Sequence, residues 1–210
     1  DGRSYFIDAT NASRTLLMDI NNVSWSEEMC NLLNIPIDKL PEIKNSADEY
    51  GETSLFGGEI KICGIAGDQQ AALFGQGCFK EGEAKSTYGT GCFMMLNTGS
   101  EIKLSKSKLL STIGYQIDGK VNYALEGSIF MAGASVQWLR DNLEFFSLAQ
   151  EIENLAKNSN VNSNVSFIPA FTGLGAPYWD PEARGAIFGL SRETTKNDIS
   201  QALLEAIAFQ

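Results

Sequence analysis

The spacing of apolar and polar residues changes several times along the chain. SYFIDAT is a short strand candidate, and SWSEEMCNLLNI carries Met29, Leu32 and Leu33 on one helical face. Ser24 with Glu27 three residues on predicts a capping box for that helix, and Pro36 marks its end. DKLPEIKNSADEYGETSLFGG is polar and rich in turn formers, so it reads as surface loop. EIKICGIAG follows as a buried strand through Ile60, Ile62, Ile65 and Ala66, and DQQAALFGQG as a helix from Asp68 to Gly75 or Gly77.

Further on, KSTYGTGCFMMLNTG reads as two strands joined by a tight turn at Gly89 and Gly91. STIGYQIDGKVNYALEG is a hairpin pattern, because Asp118-Gly119 between alternating residues suits a type I′ turn. GASVQWLRDNLEFF predicts a helix starting after Gly133, and SLAQEIENLAKNS a second. NVSFIPAF and GAIFGL are strands flanking the irregular TGLGAPYWDPEARG. The last segment, TTKNDISQALLEAIAFQ, is a helix with Thr195 and Asp198 spaced as a capping box. The pattern is α/β, mixed α and β, with antiparallel hairpins beside strand–helix alternation and a seam expected near residues 75–82.

Composition narrows the chemistry. With 43% hydrophobic and 20% charged residues, the 210-residue chain has an ordinary globular makeup and enough length for a sizeable core. A net charge of −10 argues against nucleic acid as a partner. The chain has no histidine, which excludes histidine-ligated zinc and serine–histidine triads within it. Its four cysteines form no CxxC pair, and Cys63 and Cys92 lie in apolar runs, as reduced core thiols of a cytoplasmic protein would. No apolar run reaches the roughly 18 residues of a membrane span. Asp1 is not a methionine and Gln210 stops inside an apolar-periodic helix, so an internal piece of a longer protein is expected.

Four places can carry chemistry. Asp68 sits where a strand hands over to a helix, where ligands meet α/β sheets and where the helix dipole favours a carboxylate. It can accept a proton from an alcohol, with Gln69 offering a donor and an acceptor to a polyol, or it can simply cap its helix. YGTG at residues 88–91 presents Thr90 between glycines, which suits phosphate oxygens and equally suits a plain hairpin. Gly133, Ala134 and Ser135 open a helix on small residues, either for a phosphorylated ligand or for close packing on a sheet. TGLGAPYWDPEARG, with Pro177 and Pro181 fixing its backbone and Tyr178 and Trp179 needing burial, is a functional loop or a plug over the core. No GxxxxGK[ST] motif occurs.

Taken in order, DATNASRT, GIAGDQQAALFGQ, STYGTGCFMMLNTG, SIFMAGASVQWLRD and FIPAFTGLGAPYWDPEARGAIFGLSRETTKNDISQALLE resemble the FGGY carbohydrate kinases, and among them the glycerol kinases. The resemblance covers essentially the whole chain. It implies an actin-like ATPase (ribonuclease H-like) fold, residues 1–76 ending a polyol-binding first domain and residues 77–210 beginning a nucleotide-binding second domain. It implies ATP and Mg²⁺ as cofactors, with Asp68 as general base, Gln69 and Phe93 at the polyol, and Thr90, Gly133 and Gln137 at the nucleotide. Mg²⁺ is expected on the phosphates, with Asp68 as a ligand through water. The whole protein is expected to be a cytoplasmic homodimer or homotetramer, and this piece alone to be inactive. Glu59 stands where regulated members carry an arginine for fructose bisphosphate, so that inhibition is not expected. A kinase for xylulose, ribulose or gluconate, and a silent actin-like nucleotide-binding protein, are the alternatives.

Overall fold

The computed structural model describes residues 4–210, so residues 1–3 of the expected first domain lie outside the described residues. The chain divides into two compact units. One comprises the chain up to Lys85 together with Met94–Glu126; the other comprises Ser86–Phe93 and Gly127–Gln210.

In the first unit, β1 (Phe6–Asp8) runs straight into α1 (Ala9–Ala12), whose N-cap is Asp8. The short antiparallel pair β2 (Met18–Asp19) and β3 (Ser24–Trp25) leads to α2 (Glu27–Leu32). The cap of α2 is Ser26, whose hydroxyl accepts from the Met29 N–H at 3.2 Å. Ser24 lies in the ladder opposite Asp19, so the expected box with Glu27 does not form. The helix also stops before Pro36: Leu33 is its C-cap, and Asn34 turns the chain with a φ of 55°.

The segment expected as surface loop contains two strands. β4 (Glu42–Lys44) pairs in parallel with β1, and β5 (Ala47–Thr53) pairs antiparallel with β6 (Ile60–Gly64). β5 buries only Tyr50, so its sequence ADEYGET carries no apolar alternation to betray it. β6 is the reverse case. It reads as buried, yet Ile60 and Ile62 are 48% and 42% exposed, because its hydrogen-bonded neighbour is β5 alone and no layer covers it among the described residues. Cys63 on β6 is therefore exposed, contrary to the core-thiol reading, while Cys30, Cys78 and Cys92 are buried and all four are free.

After β6 comes α3 (Asp68–Gly75), as expected. A four-stranded sheet follows, built from β7 (Ala84–Tyr88), β8 (Cys92–Gly99), β9 (Leu110–Ile117) and β10 (Lys120–Ile129) in the order β7-β8-β10-β9. The β9–β10 turn has Asp118 at φ 50° and Gly119 at φ 72°, the two positive values that a type I′ turn requires. Ala9, Ala12, Met18, Ile113 and Tyr123 form one apolar cluster of the unit; Leu73, Cys78, Met95 and Ala124 form another beneath α3.

The second unit carries α4 (Gly133–Asp141), α5 (Glu151–Lys157), the antiparallel pair β11 (Ser166–Ile168) and β12 (Ala186–Phe188), and α6 (Lys196–Phe209). Leu139, Phe146, Ile152, Phe167 and Leu203 make its core, with the Trp138 and Phe171 rings 4.8 Å apart against it. α4 ends at Asp141, earlier than its pattern suggests, and Glu144 turns the chain with φ 54°. The Thr195–Asp198 capping box forms as read. In TGLGAPYWDPEARG, Trp179 is half-buried against Phe130 with centroids 6.3 Å apart, but Tyr178 is 66% exposed and contradicts the expected burial.

Candidate functional site

Asp68 occupies the first position of α3, and its N-cap is Gly67, which has no side chain to offer. Asp68 is therefore not the N-cap residue itself, although its carboxylate does accept from a first-turn amide of α3. Its carboxylate is exposed and turned back on its neighbour: Oδ1 accepts from the Gln69 N–H at 2.9 Å and Oδ2 from Gln69 Nε2 at 3.1 Å. The Gln69 carbonyl oxygen accepts from the Lys85 ammonium of β7. Lys85 is buried, which pushes its pKa down, while the charges of Glu126 and then Asp68 work in the opposite direction. Glu126 on β10 is itself 1% exposed and pairs with Arg14 at 2.9 Å.

The place of α3 is fixed from the start of the chain. Asp8 is fully buried, and its Oδ2 accepts from the Thr10 N–H (2.9 Å), the Thr10 hydroxyl (2.7 Å) and the Ser46 hydroxyl (2.9 Å). Its Oδ1 accepts from the Asn11 N–H (3.0 Å) and side-chain amide (2.6 Å). Five donors satisfy a carboxylate that burial would otherwise penalise. The Thr10 oxygen in turn accepts from the Gly67 N–H at 2.8 Å, immediately ahead of Asp68. An added Cβ on Gly67 would lie 2.5 Å from the Gln70 side-chain oxygen, so the Gln70 side chain would have to shift to make room.

The second unit holds Thr90, Phe93, Gly133 and Gln137. Here the geometry is made by backbone. The Gly133 N–H donates to the Gly89 carbonyl at 2.9 Å, and the Ala132 and Ala134 N–H groups donate to the Thr90 carbonyl at 2.9 and 3.1 Å. The first amides of α4 are thus occupied by the YGTG loop, and its small residues answer first to that close approach. An added Cβ on Gly133 would stand 2.6 Å from the Gly89 oxygen, and one on Gly91 would collide with the Ile129 carbonyl. The docking leaves the Thr90 side chain exposed, Gln137 exposed one turn along α4, and Phe93 half-buried. The loop TGLGAPYWDPEARG docks in the same manner, with the Ala176 N–H on the Ser128 carbonyl at 2.9 Å.

The structure thus joins Asp68 to Gln69 in one unit, and Thr90 to Gly133 in the other. Sequence reading missed Lys85, Glu126, Asp8 and Thr10. Alternation gave no signal for Lys85: in AKSTY the inward positions hold Lys85 and Thr87, while Ala84 and Tyr88 face out. Among the described residues no group of three or more acidic, cysteine or histidine side chains could hold a metal, so Asp68 stands as a single carboxylate. That fits Mg²⁺ held mainly by water and phosphate, not by a protein cage.

Comparisons with known proteins give a consistent outcome. The N-terminal domain of the FGGY family of carbohydrate kinases matches residues 2–75, and its C-terminal domain matches residues 84–210. Glycerol kinase 1 of Pseudomonas aeruginosa is 56% identical over the whole chain, and the glycerol kinase of Streptococcus pyogenes is 54% identical. The chain spans 43% and 42% of their respective lengths. Among solved structures, a Plasmodium falciparum glycerol kinase with ADP superposes with a TM-score of 0.84 at 44% identity, over 97% of this chain and 42% of that one. A Brucella ovis sugar kinase at 22% identity and TM-score 0.82, matched over 98% of this chain and 43% of its own, shares the fold. That fold is the actin-like ATPase architecture.

Proposed function

The chain belongs to the FGGY family of carbohydrate kinases, and on that premise we propose that it is part of an enzyme transferring the terminal phosphate of ATP to glycerol. The product is sn-glycerol 3-phosphate. The observation that carries this reading is the Asp68 carboxylate: it is exposed at the start of α3 and is oriented by the Gln69 beside it. Identities of 54–56% to glycerol kinases support glycerol over other polyols.

In this reading Asp68 takes the proton of the attacking hydroxyl, and Gln69 keeps one N–H and one oxygen lone pair for the substrate. Phe93 lines the polyol pocket. Thr90, with Gly133 and Gln137 on α4, contacts the nucleotide, and the glycine packing keeps that loop rigid. Phosphoryl transfer asks mainly for such positioning and for charge neutralisation. Mg²⁺ supplies the neutralisation when bound, with Asp68 the residue able to hold it through water. We also read residues 1–76 as the end of the polyol domain and residues 77–210 as the start of the nucleotide domain. The complete enzyme is then a cytoplasmic homodimer or homotetramer without fructose bisphosphate control, since Glu59 would repel a phosphate. The chain alone, less than half the length of its relatives, does not turn over.

The test uses the full-length protein. Asp68→Asn lowers turnover at least about a hundredfold while ATP binding by calorimetry is retained; unchanged turnover overturns the role. A panel of glycerol, xylulose, ribulose and gluconate settles the acceptor, and equal rates on a pentulose defeat the assignment.

A further inference from the structure

We propose that Lys85 is a positioning residue of the polyol site, one that fixes which end of the Gln69 amide meets Asp68 and which end a substrate hydroxyl can address. The proposal deepens the reading above and rests on it. An ammonium can only donate and a carboxylate can only accept. Gln69 lies between one of each: its carbonyl oxygen takes the Lys85 proton, and its Nε2 donates to Asp68 Oδ2 at 3.1 Å. Rotating the amide by half a turn would set NH₂ against ammonium and oxygen against carboxylate. One orientation is therefore enforced, and the substrate meets one free N–H and one free lone pair in a fixed order.

The position of the lysine also argues for a role. Lys85 is 5% exposed on the inward face of β7, between exposed Ala84 and Ser86. A buried ammonium is retained only where opposite charge compensates for lost water. Glu126 supplies that charge from within the same unit and is steadied by Arg14 at 2.9 Å. Arg14, Glu126, Lys85 and Asp68 form an alternating series of signs that ends at the base. Removing the cation leaves the Gln69 amide free to present either end to Asp68. A lysine kept only for packing would not have that consequence.

The consequence is measurable in the full-length protein. Lys85→Met should lower kcat/KM for glycerol roughly tenfold to a hundredfold, as the loss of a hydrogen bond to a charged group does, with KM for ATP unchanged. Lys85→Arg, which keeps a cationic donor for the Gln69 oxygen, should recover part of that loss. In Gln69→Leu the lysine has lost its target, so adding Lys85→Met should cost little more on the same scale. Fully additive losses, or no recovery in Lys85→Arg, overturn the proposal. If Lys85→Met does not accumulate as folded protein, Lys85→Gln carries the same tests, since an amide can donate or accept and no longer enforces one orientation. Asp68→Asn is measured alongside. If that variant keeps full turnover, the site reading itself fails; if it is inactive while the Lys85 and Gln69 losses add, only the role of Lys85 fails.

Discussion

The two units build their candidate sites from different materials. Around Asp68 the arrangement is ionic and runs through side chains: carboxylate, amide and ammonium are linked by hydrogen bonds, and a second carboxylate acts on the ammonium through its charge. Around Thr90 the loop is held by three amides of the α4 end and by glycines with no room for a Cβ. The first kind of site depends on protonation state. The second depends on volume, and it keeps its shape whatever the pH.

Substitutions can break this contrast or sharpen it. The largest effect is expected for Gly91→Ala, where the new methyl meets the Ile129 and Phe130 carbonyls: about 3 kcal/mol lost, with weaker ATP binding and no change in the penalty between pH 6 and 8. Urea denaturation and calorimetry at both pH values check it, and a strongly pH-dependent penalty would blur the distinction. Thr10→Val removes a donor to the buried Asp8 and the acceptor of the Gly67 N–H, and should cost about 2 kcal/mol. Because this loosens α3, glycerol kcat/KM should fall while ATP affinity holds. The smallest effect is outside both sites. Asp198 accepts from the Thr195 and Asn160 backbone N–H groups and the Thr195 hydroxyl, which hold its carboxyl below the usual range. Its contribution is present above the unfolded value near 4 and is lost as pH falls through the lowered folded value. Asp198→Ala should therefore cost about 1 kcal/mol at pH 7 and much less near pH 2, read from thermal denaturation.

What could be read from sequence follows the same division between local and distant causes. α3, the Asp118-Gly119 hairpin and the α6 cap were legible because neighbours within a few residues determine them. β4 and β5 were not, since β4 exists through parallel pairing with β1, more than thirty residues earlier, and β5 through one buried tyrosine. β6 misled for the opposite reason: its isoleucines describe an apolar strand, but apolar sequence alone cannot report whether another layer covers it. Asp68 and Gln69 stood out by their place after a strand. Lys85 did not, because a lone lysine in a strand usually faces water, and only the fold turns it inward.

The Thr10 hydroxyl touches the Gly67 amide across 57 positions of sequence. A contact that distant has to close a long loop, at an entropy cost that neighbouring contacts do not carry. The proposed proton acceptor thus acquires its final place only after β1 and α1 have formed beside it. A nascent chain emerging in order would carry Asp68 as an ordinary surface acid until that clasp shuts.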